Sequence, residues 1–197
     1  MIDHAPLIVS DELILRGYQE SDFPRFAEFA ASHRSYYVGG PVGPADSWRS
    51  FLAAVGHWTL RGYGMWVVEH RETGAVAGRV GVSLNDGWHE PEMAWHVFDG
   101  FEGRSIAYGA SLIAREYSAR HFGLDRVMSY IDPENYRSMR LATRLGAVFE
   151  QNVEVRGSLA QMWRHPSVLE GTRCARVPST KRHRRVSQPS LQPGCKG

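Results

Sequence analysis

Residues 91–131 read as strand, glycine turn, long helix and strand, and no other stretch limits the fold as much. "PEMAWHVF" (91–98) alternates, with Glu92, Ala94 and His96 on one face and Met93, Trp95 and Val97 on the other. "FEGRSIAYGAS" (101–111) then turns into a helix on which Ile106, Ala110, Ile113, Tyr117 and His121 recur at helical spacing, and Gly123 closes it. "DRVMSYI" (125–131) returns as a strand. Such a unit lays the helix on one face of a sheet. It also leaves the first-turn amides of that helix exposed just beyond a strand end.

The flanking segments fit the same sheet. "ELILRGY" (12–18) is a strand, followed by a helix over 21–31 with Ser21 as its candidate cap and Phe23, Phe26, Ala27 and Ala30 on one face. After the Gly- and Pro-rich loop 36–44, Trp48, Phe51, Leu52, Val55 and Trp58 mark a second helix over 45–60. "GMWVVEH" and "AVAGRVGVSL" flank the tight "RETG" turn as a hairpin. "NYRSMRLATRLG" (135–146) is a short helix, and a final strand pair turns at Arg156–Gly157. The order β-α-α-β-β-β-α-β-α-β-β implies a mixed sheet with helices on both faces.

Charge and cysteine divide the chain near Pro166. Seven of the 23 Lys and Arg follow that residue, but only one of the 21 Asp and Glu, Glu170. Both cysteines, Cys174 and Cys195, lie there too, so residues 1–166 hold no thiol for a nucleophile, a disulfide or a zinc site. The expectation is a folded domain over 1–166 and a basic, disordered tail over 167–197. No apolar run has the length of a membrane span, and the first residues lack the basic and apolar regions of a secretion signal. A cytoplasmic protein is expected, with no membrane partner and no metal.

The turn into the long helix suits an anion. Unpaired amides and the helix dipole favour negative charge, Gly103 removes a Cβ from the approach, and Arg104 adds a positive charge. A phosphate-binding loop of the GK[ST] type is excluded because that triplet is absent, and the dinucleotide-binding reading fails because the preceding strand is not the first of a βαβ nucleotide unit with its acidic residue. Taken alone, the turn is a weak signal, since most strand-to-helix turns with a glycine bind nothing.

The run 91–149 resembles the GNAT superfamily of N-acetyltransferases. Its acyl-CoA signature, (Gln/Arg)-x-x-Gly-x-(Gly/Ala), corresponds to Glu102-Gly103-Arg104-Ser105-Ile106-Ala107, followed by Asn135-Tyr136-Arg137-Ser138 and Leu145-Gly146. The order of elements agrees over about 10–166. The "N-x-x-S…R-L-G" form is similar to the branch that acetylates ribosomal-protein N-termini (alanine or serine) and related amines. Two residues depart from the signature: Glu102 stands for Gln/Arg and brings negative charge, and Ser105 stands for glycine. The resemblance implies an α/β (mixed α+β) fold. It would hold a mixed, mostly antiparallel sheet of about seven strands, helices on both faces, and a splay between strands 4 and 5.

It also implies the chemistry. An acetyl group would pass from acetyl-CoA, a co-substrate, to a primary amine by direct attack in a ternary complex. The acceptor would be a protein N-terminus or a small-molecule amine. Gly103, Arg104, Ser105, Ile106, Ala107 and Tyr108 would receive the pyrophosphate, and Val97 to Asp99 would line the pantetheine arm. A backbone N–H of Val97 or Phe98 would face the thioester carbonyl, and Asn135 would cap the short helix and orient the arm. Glu92 is the candidate base, directly or through water, with His96 as the alternative. Many relatives protonate the thiolate with a tyrosine seven residues after the asparagine; Ala142 stands there, which leaves Ser138, Tyr136 or water. Tyr36, Tyr37, Trp88 and Trp163 are aromatic candidates for the acceptor pocket. A monomer or homodimer accords with the family.

Two other classes of function stay open at this stage. One is a non-catalytic acyl-CoA-binding module, suggested by Glu102, Ser105 and Ala142. The other is an RNA- or ribosome-associated protein acting through the basic tail, 173–185, which contains "KRHRR".

Overall fold

The structure is a computed structural model that describes residues 5–155 and 157–170. Its elements are β1 (Ile8–Val9), β2 (Leu13–Arg16), α1 (Phe23–Ala31), α2 (Pro44–Arg61), β3 (Met65–His70), β4 (Ala75–Ser83), β5 (Glu92–Val97), α3 (Ile106–Phe122), β6 (Met128–Ile131), α4 (Tyr136–Arg144), β7 (Val148–Val155) and β8 (Ser158–Arg164), with 3-10 turns at Glu20–Asp22 and His33–Val38. The strands form one sheet in the order β1-β2-β3-β4-β5-β6-β8-β7. Every neighbouring pair is antiparallel except β5 with β6.

The sheet has eight strands among the described residues, one more than the sequence suggests. The addition is the two-residue β1, too short to show an alternating pattern. With β1 counted, the expected splay falls between β5 and β6. Those strands share a single registered position, Glu92 with Met128, and separate beyond it. Ser129 fastens the closed end: its hydroxyl donates to the Met93 carbonyl at 2.5 Å and accepts from His165 Nε2, 3.0 Å away.

α3 covers one face. Ile106, Ala110 and Ala114 pack with Leu13, Leu15, Trp66, Val68, Ala77, Val82 and Met93 in the main core. α1 and α2 cover the other, where Phe26, Ala30 and Phe51 enclose Phe98. Of the apolar residues that mark α2 in the sequence, only Phe51 and Trp58 are buried. Trp48, Leu52 and Val55 are exposed, because α2 touches the domain along a narrow stripe. Ser21 does not cap α1. It lies inside the 3-10 turn, and α1 starts without a side-chain cap; the Asp22 carboxylate instead closes the 3-10 turn by accepting the Gln19 N–H at 2.8 Å while holding Arg16.

α4 is tied to the rest by Arg115 of α3, which is buried and donates to the carbonyls of Leu145 (3.0 Å) and Pro166 (2.7 Å). Past Pro166 the described chain continues to Glu170, and Val168 N–H donates to Asp125 at 3.0 Å. The remaining tail, including "KRHRR", lies outside the described residues. Among the described residues, no helix is long and apolar enough to cross a membrane, and no group of His, Cys, Asp and Glu is arranged to hold a metal ion.

Candidate active site

The strand ladder decides which groups of β5 face the splay. Phe98 N–H donates to the Ala77 carbonyl at 2.8 Å, making Ala77 and Phe98 a hydrogen-bonded pair. In an antiparallel ladder such pairs alternate. His96 and Ala94 therefore also bond to β4, whereas the N–H and C=O of Trp95 and Val97 point the other way, into the gap. Of the two amides that the sequence offered for the reacting carbonyl, the Phe98 N–H is consumed by the sheet and the Val97 N–H faces the splay.

A cavity of about 590 Å³ opens on the splay. Glu92, Asn135 and Ser138 all line it, so three residues separated by up to 46 positions in sequence share one space. Asn135 caps α4, its Oδ1 accepting the Ser138 N–H at 3.2 Å. Ser138 Oγ accepts the Trp95 indole N–H at 3.3 Å, which leaves its own proton to donate. Glu92 is buried, and its Oε1 accepts the Tyr130 N–H at 3.3 Å. Ala142, where many relatives carry a tyrosine, is fully buried beside Ile131 and Ala147.

Two histidines also line the cavity, and neither offers a free lone pair. His96 Nδ1 accepts from Arg79 Nε at 2.8 Å, so its proton sits on Nε2. The ring stacks on Phe29, and burial, aided by the Arg79 charge, holds its pKa well below the ordinary histidine value. His57 was not legible as a site residue in the sequence. Its Nε2 accepts the Leu84 N–H at 3.0 Å and its Nδ1 lies 2.6 Å from the Tyr63 carbonyl, so both nitrogens bind backbone. Asp132, the other carboxylate on the wall, accepts the Glu134 N–H at 2.8 Å within its turn. Glu92 is thus the carboxylate on the strand floor of the cavity.

Tyr36, Tyr37 and Trp88 line the wall as the sequence suggests, but Trp163 does not: it packs against Phe149 and the small core under α4. Tyr130, on the splayed edge, meets Trp88 edge-on, and burial raises the pKa of its hydroxyl. No sequence motif marks Tyr130. Only the parallel placement of β6 beside β5 brings it to the wall.

The turn before α3 fits an anion. Gly103 has φ +73°, and a Cβ built there would meet nothing within 4 Å. Ser105, the N-cap residue, is left-handed at φ +59° and puts no side chain over the first-turn amides. The first helical bond from this turn is Gly109 N–H to the Ser105 carbonyl, at 2.9 Å, so the amides of Ile106, Ala107 and Tyr108 have no acceptor within the helix. Arg144 Nη1 donates to Ser105 Oγ at 3.2 Å and its guanidinium lies 4.0 Å from the centre of the Tyr108 ring. Arg104 is exposed and lies over Phe101. Glu102 is turned back into its own loop, accepting the Gly100 N–H at 3.0 Å and pairing with Arg34.

A strand splay beside an uncapped helix start defines a class, and the comparisons agree. Residues 12–148 match the family described as "Acetyltransferase (GNAT) domain", so the chain belongs to the GNAT acetyltransferase family. It is similar to a crystal structure of an acetyltransferase from Agrobacterium tumefaciens, at 28% identity over 84% of this chain and 96% of that one, with TM-score 0.77. A GNAT-family acetyltransferase from Bacillus anthracis has the same fold at 16% identity, covering 81% of this chain and 96% of its own (TM-score 0.67). The same holds for a ribosomal-protein-S5-alanine acetyltransferase from Vibrio fischeri, at 16% identity, 83% and 98% coverage and TM-score 0.65.

Proposed function

We propose that this acetyltransferase moves an acetyl group from acetyl-CoA to a primary amine by direct attack, with both substrates bound at once. The observation that carries this reading is the single cavity that joins Glu92, Asn135 and Ser138 where β5 and β6 separate. The domain over 1–166 performs the reaction, with the basic tail from 167 onward outside it.

Acetyl-CoA supplies the activated acetyl thioester. Gly103 to Tyr108 would hold its pyrophosphate through backbone donors and the helix dipole, with Arg104 at the entrance. The edge of β5 around Val97 would bind the pantetheine arm, and Asn135 would orient it. The Val97 N–H, directed into the gap, is placed to stabilise negative charge on a carbonyl oxygen. Glu92 takes the proton of the attacking amine, directly or through one water, and Ser138 returns a proton to the departing sulfur. An α-amino group, with pKa near 8, needs less help from Glu92 than a lysine side chain near 10.4. The acceptor is therefore a protein N-terminus or a small amine of similar basicity. The name of the Vibrio fischeri relative favours the first.

The test is the melting temperature of the full chain with and without acetyl-CoA, for the wild type and Gly103→Trp. A ligand present at a hundred times its Kd adds about 2.7 kcal/mol to the folded state, a rise of several degrees. Wild type should shift and the tryptophan variant should not, because an indole would fill the open space beside Gly103. An unshifted wild type at millimolar acetyl-CoA would overturn the reading.

A further inference from the structure

The turn that precedes the anion cradle hangs on one arginine from a distant element. Arg34, in the 3-10 turn His33–Val38, pairs with the carboxylates of both Asp99 and Glu102, and its Nη2 donates to the Val97 carbonyl at 2.9 Å. Arg25 of α1 adds a bond to the Asp99 carbonyl at 3.1 Å. The Arg34 turn also carries Tyr36 and Tyr37, which line the cavity. One guanidinium thus ties the end of β5 and both acids of the β5–α3 turn to the turn that carries two of the cavity's tyrosines.

The charges matter because of where they sit. A bound pyrophosphate would lie beside two carboxylates, and like charges at that range repel. Asp99 is 60% exposed and largely screened by water, whereas Glu102 is only 28% exposed. Arg34 is itself 27% exposed, so its pairing with Glu102 is less screened than an ordinary surface contact. Glu102 departs from the Gln/Arg of the acyl-CoA signature, and Arg34 lies against it.

We propose that Arg34 is a positioning residue for the acyl-CoA substrate: it neutralises Glu102 beside the phosphate cradle and fixes the end of β5 to the acceptor-side loop. This rests on the acetyl-CoA reading above. Arg34 acts through Glu102 and Val97 and need not touch the substrate.

Calorimetric titration of the full chain with CoA tests it, using wild type, Arg34→Gln, Glu102→Gln and the double variant. Arg34→Gln should weaken CoA by on the order of tenfold, because it leaves the Glu102 charge unpaired. Glu102→Gln alone should bind as tightly as wild type or more so, and the double variant should recover most of the loss. S-acetylpantetheine, which lacks the pyrophosphate, should bind Arg34→Gln within about threefold of wild type, and the deficit toward CoA should narrow at high salt. Equal weakening of both ligands, without rescue by Glu102→Gln, would make Arg34 merely structural and overturn the proposal, as would unchanged CoA binding in Arg34→Gln. If the wild type fails to bind CoA at all, the acetyl-CoA reading falls first and carries the Arg34 proposal with it.

Discussion

Arg79 Nε donates to His96 Nδ1 at 2.8 Å, and that bond removes the histidine from acid–base work. The lone pair that would accept a proton already accepts one from a guanidinium. His96→Asn, whose Oδ1 can take the same bond, should keep kcat within about threefold and leave the pH profile unmoved. Steady-state rates from pH 6 to 9 check this. A loss of about a hundredfold with a displaced profile, as expected for a general base, would return the role to His96.

Glu92→Gln tests the other side of that assignment. The amide keeps an oxygen for the Tyr130 N–H, so the fold should be preserved and the melting temperature should change little. Removing a general base costs about 10²–10⁴ in rate. Single-turnover transfer to an alanine-terminated peptide should fall by at least about a hundredfold while CoA affinity holds. A loss under about fivefold would leave Glu92 without a catalytic role.

Stability should fall in mild acid. His165 is fully buried, and its Nδ1 has no hydrogen-bond partner among the described residues. Burial, with the Arg115 and Arg164 charges adding to it, pushes its pKa down to about 3. The unfolded chain, with a histidine near 6.5, takes up the proton first. The stabilising contribution is therefore complete above about pH 6.5 and drains away as pH drops toward 3. For this one group the loss between pH 7 and pH 5 is about 2 kcal/mol. His96, also depressed, acts in the same direction. Urea midpoints at the two pH values should separate less for His165→Gln than for wild type.

Ser105→Gly should stabilise the fold. The serine occupies φ +59°, where a side chain is strained, and its hydroxyl bond to Arg144 is exposed. Relief of that strain, less the extra freedom glycine gives the unfolded chain, amounts to about 0.5–1 kcal/mol. Chemical denaturation with an unchanged m-value reads it. A destabilised glycine variant would show that the Arg144 contact outweighs the strain.

Much of this was legible in the linear chain because it is local. The alternation of 92–97 and the helical spacing from Ile106 each need only neighbouring residues, and both elements stand where the pattern puts them. Gly123 ends α3 at φ +69°, as its position suggested, and Asn135 caps α4 through the Ser138 amide. The open turn ahead of α3 was legible for the same reason: unpaired amides belong to any helix start, and Gly103 lies just ahead of this one.

What stayed hidden depends on distance through space. The alternation of 92–97 cannot say whether odd or even amides bond to β4; only the pairing of Phe98 with Ala77 does, and it selects Val97. Glu102 reads in sequence as a charge spoiling a phosphate site, until Arg34, 68 positions earlier, folds against it. His96 reads as an alternative base until Arg79 claims its Nδ1, and His57, unmarked in the sequence, reaches the cavity with both ring nitrogens bound to backbone. Sequence alone determined the long helices and strands, the open turn before α3 and the family the chain resembles, since propensity, capping and periodicity act over a few residues. Tertiary structure decided which groups are already bonded and which remain for chemistry, because hydrogen-bond partners and ion pairs are settled only when distant strands and loops meet.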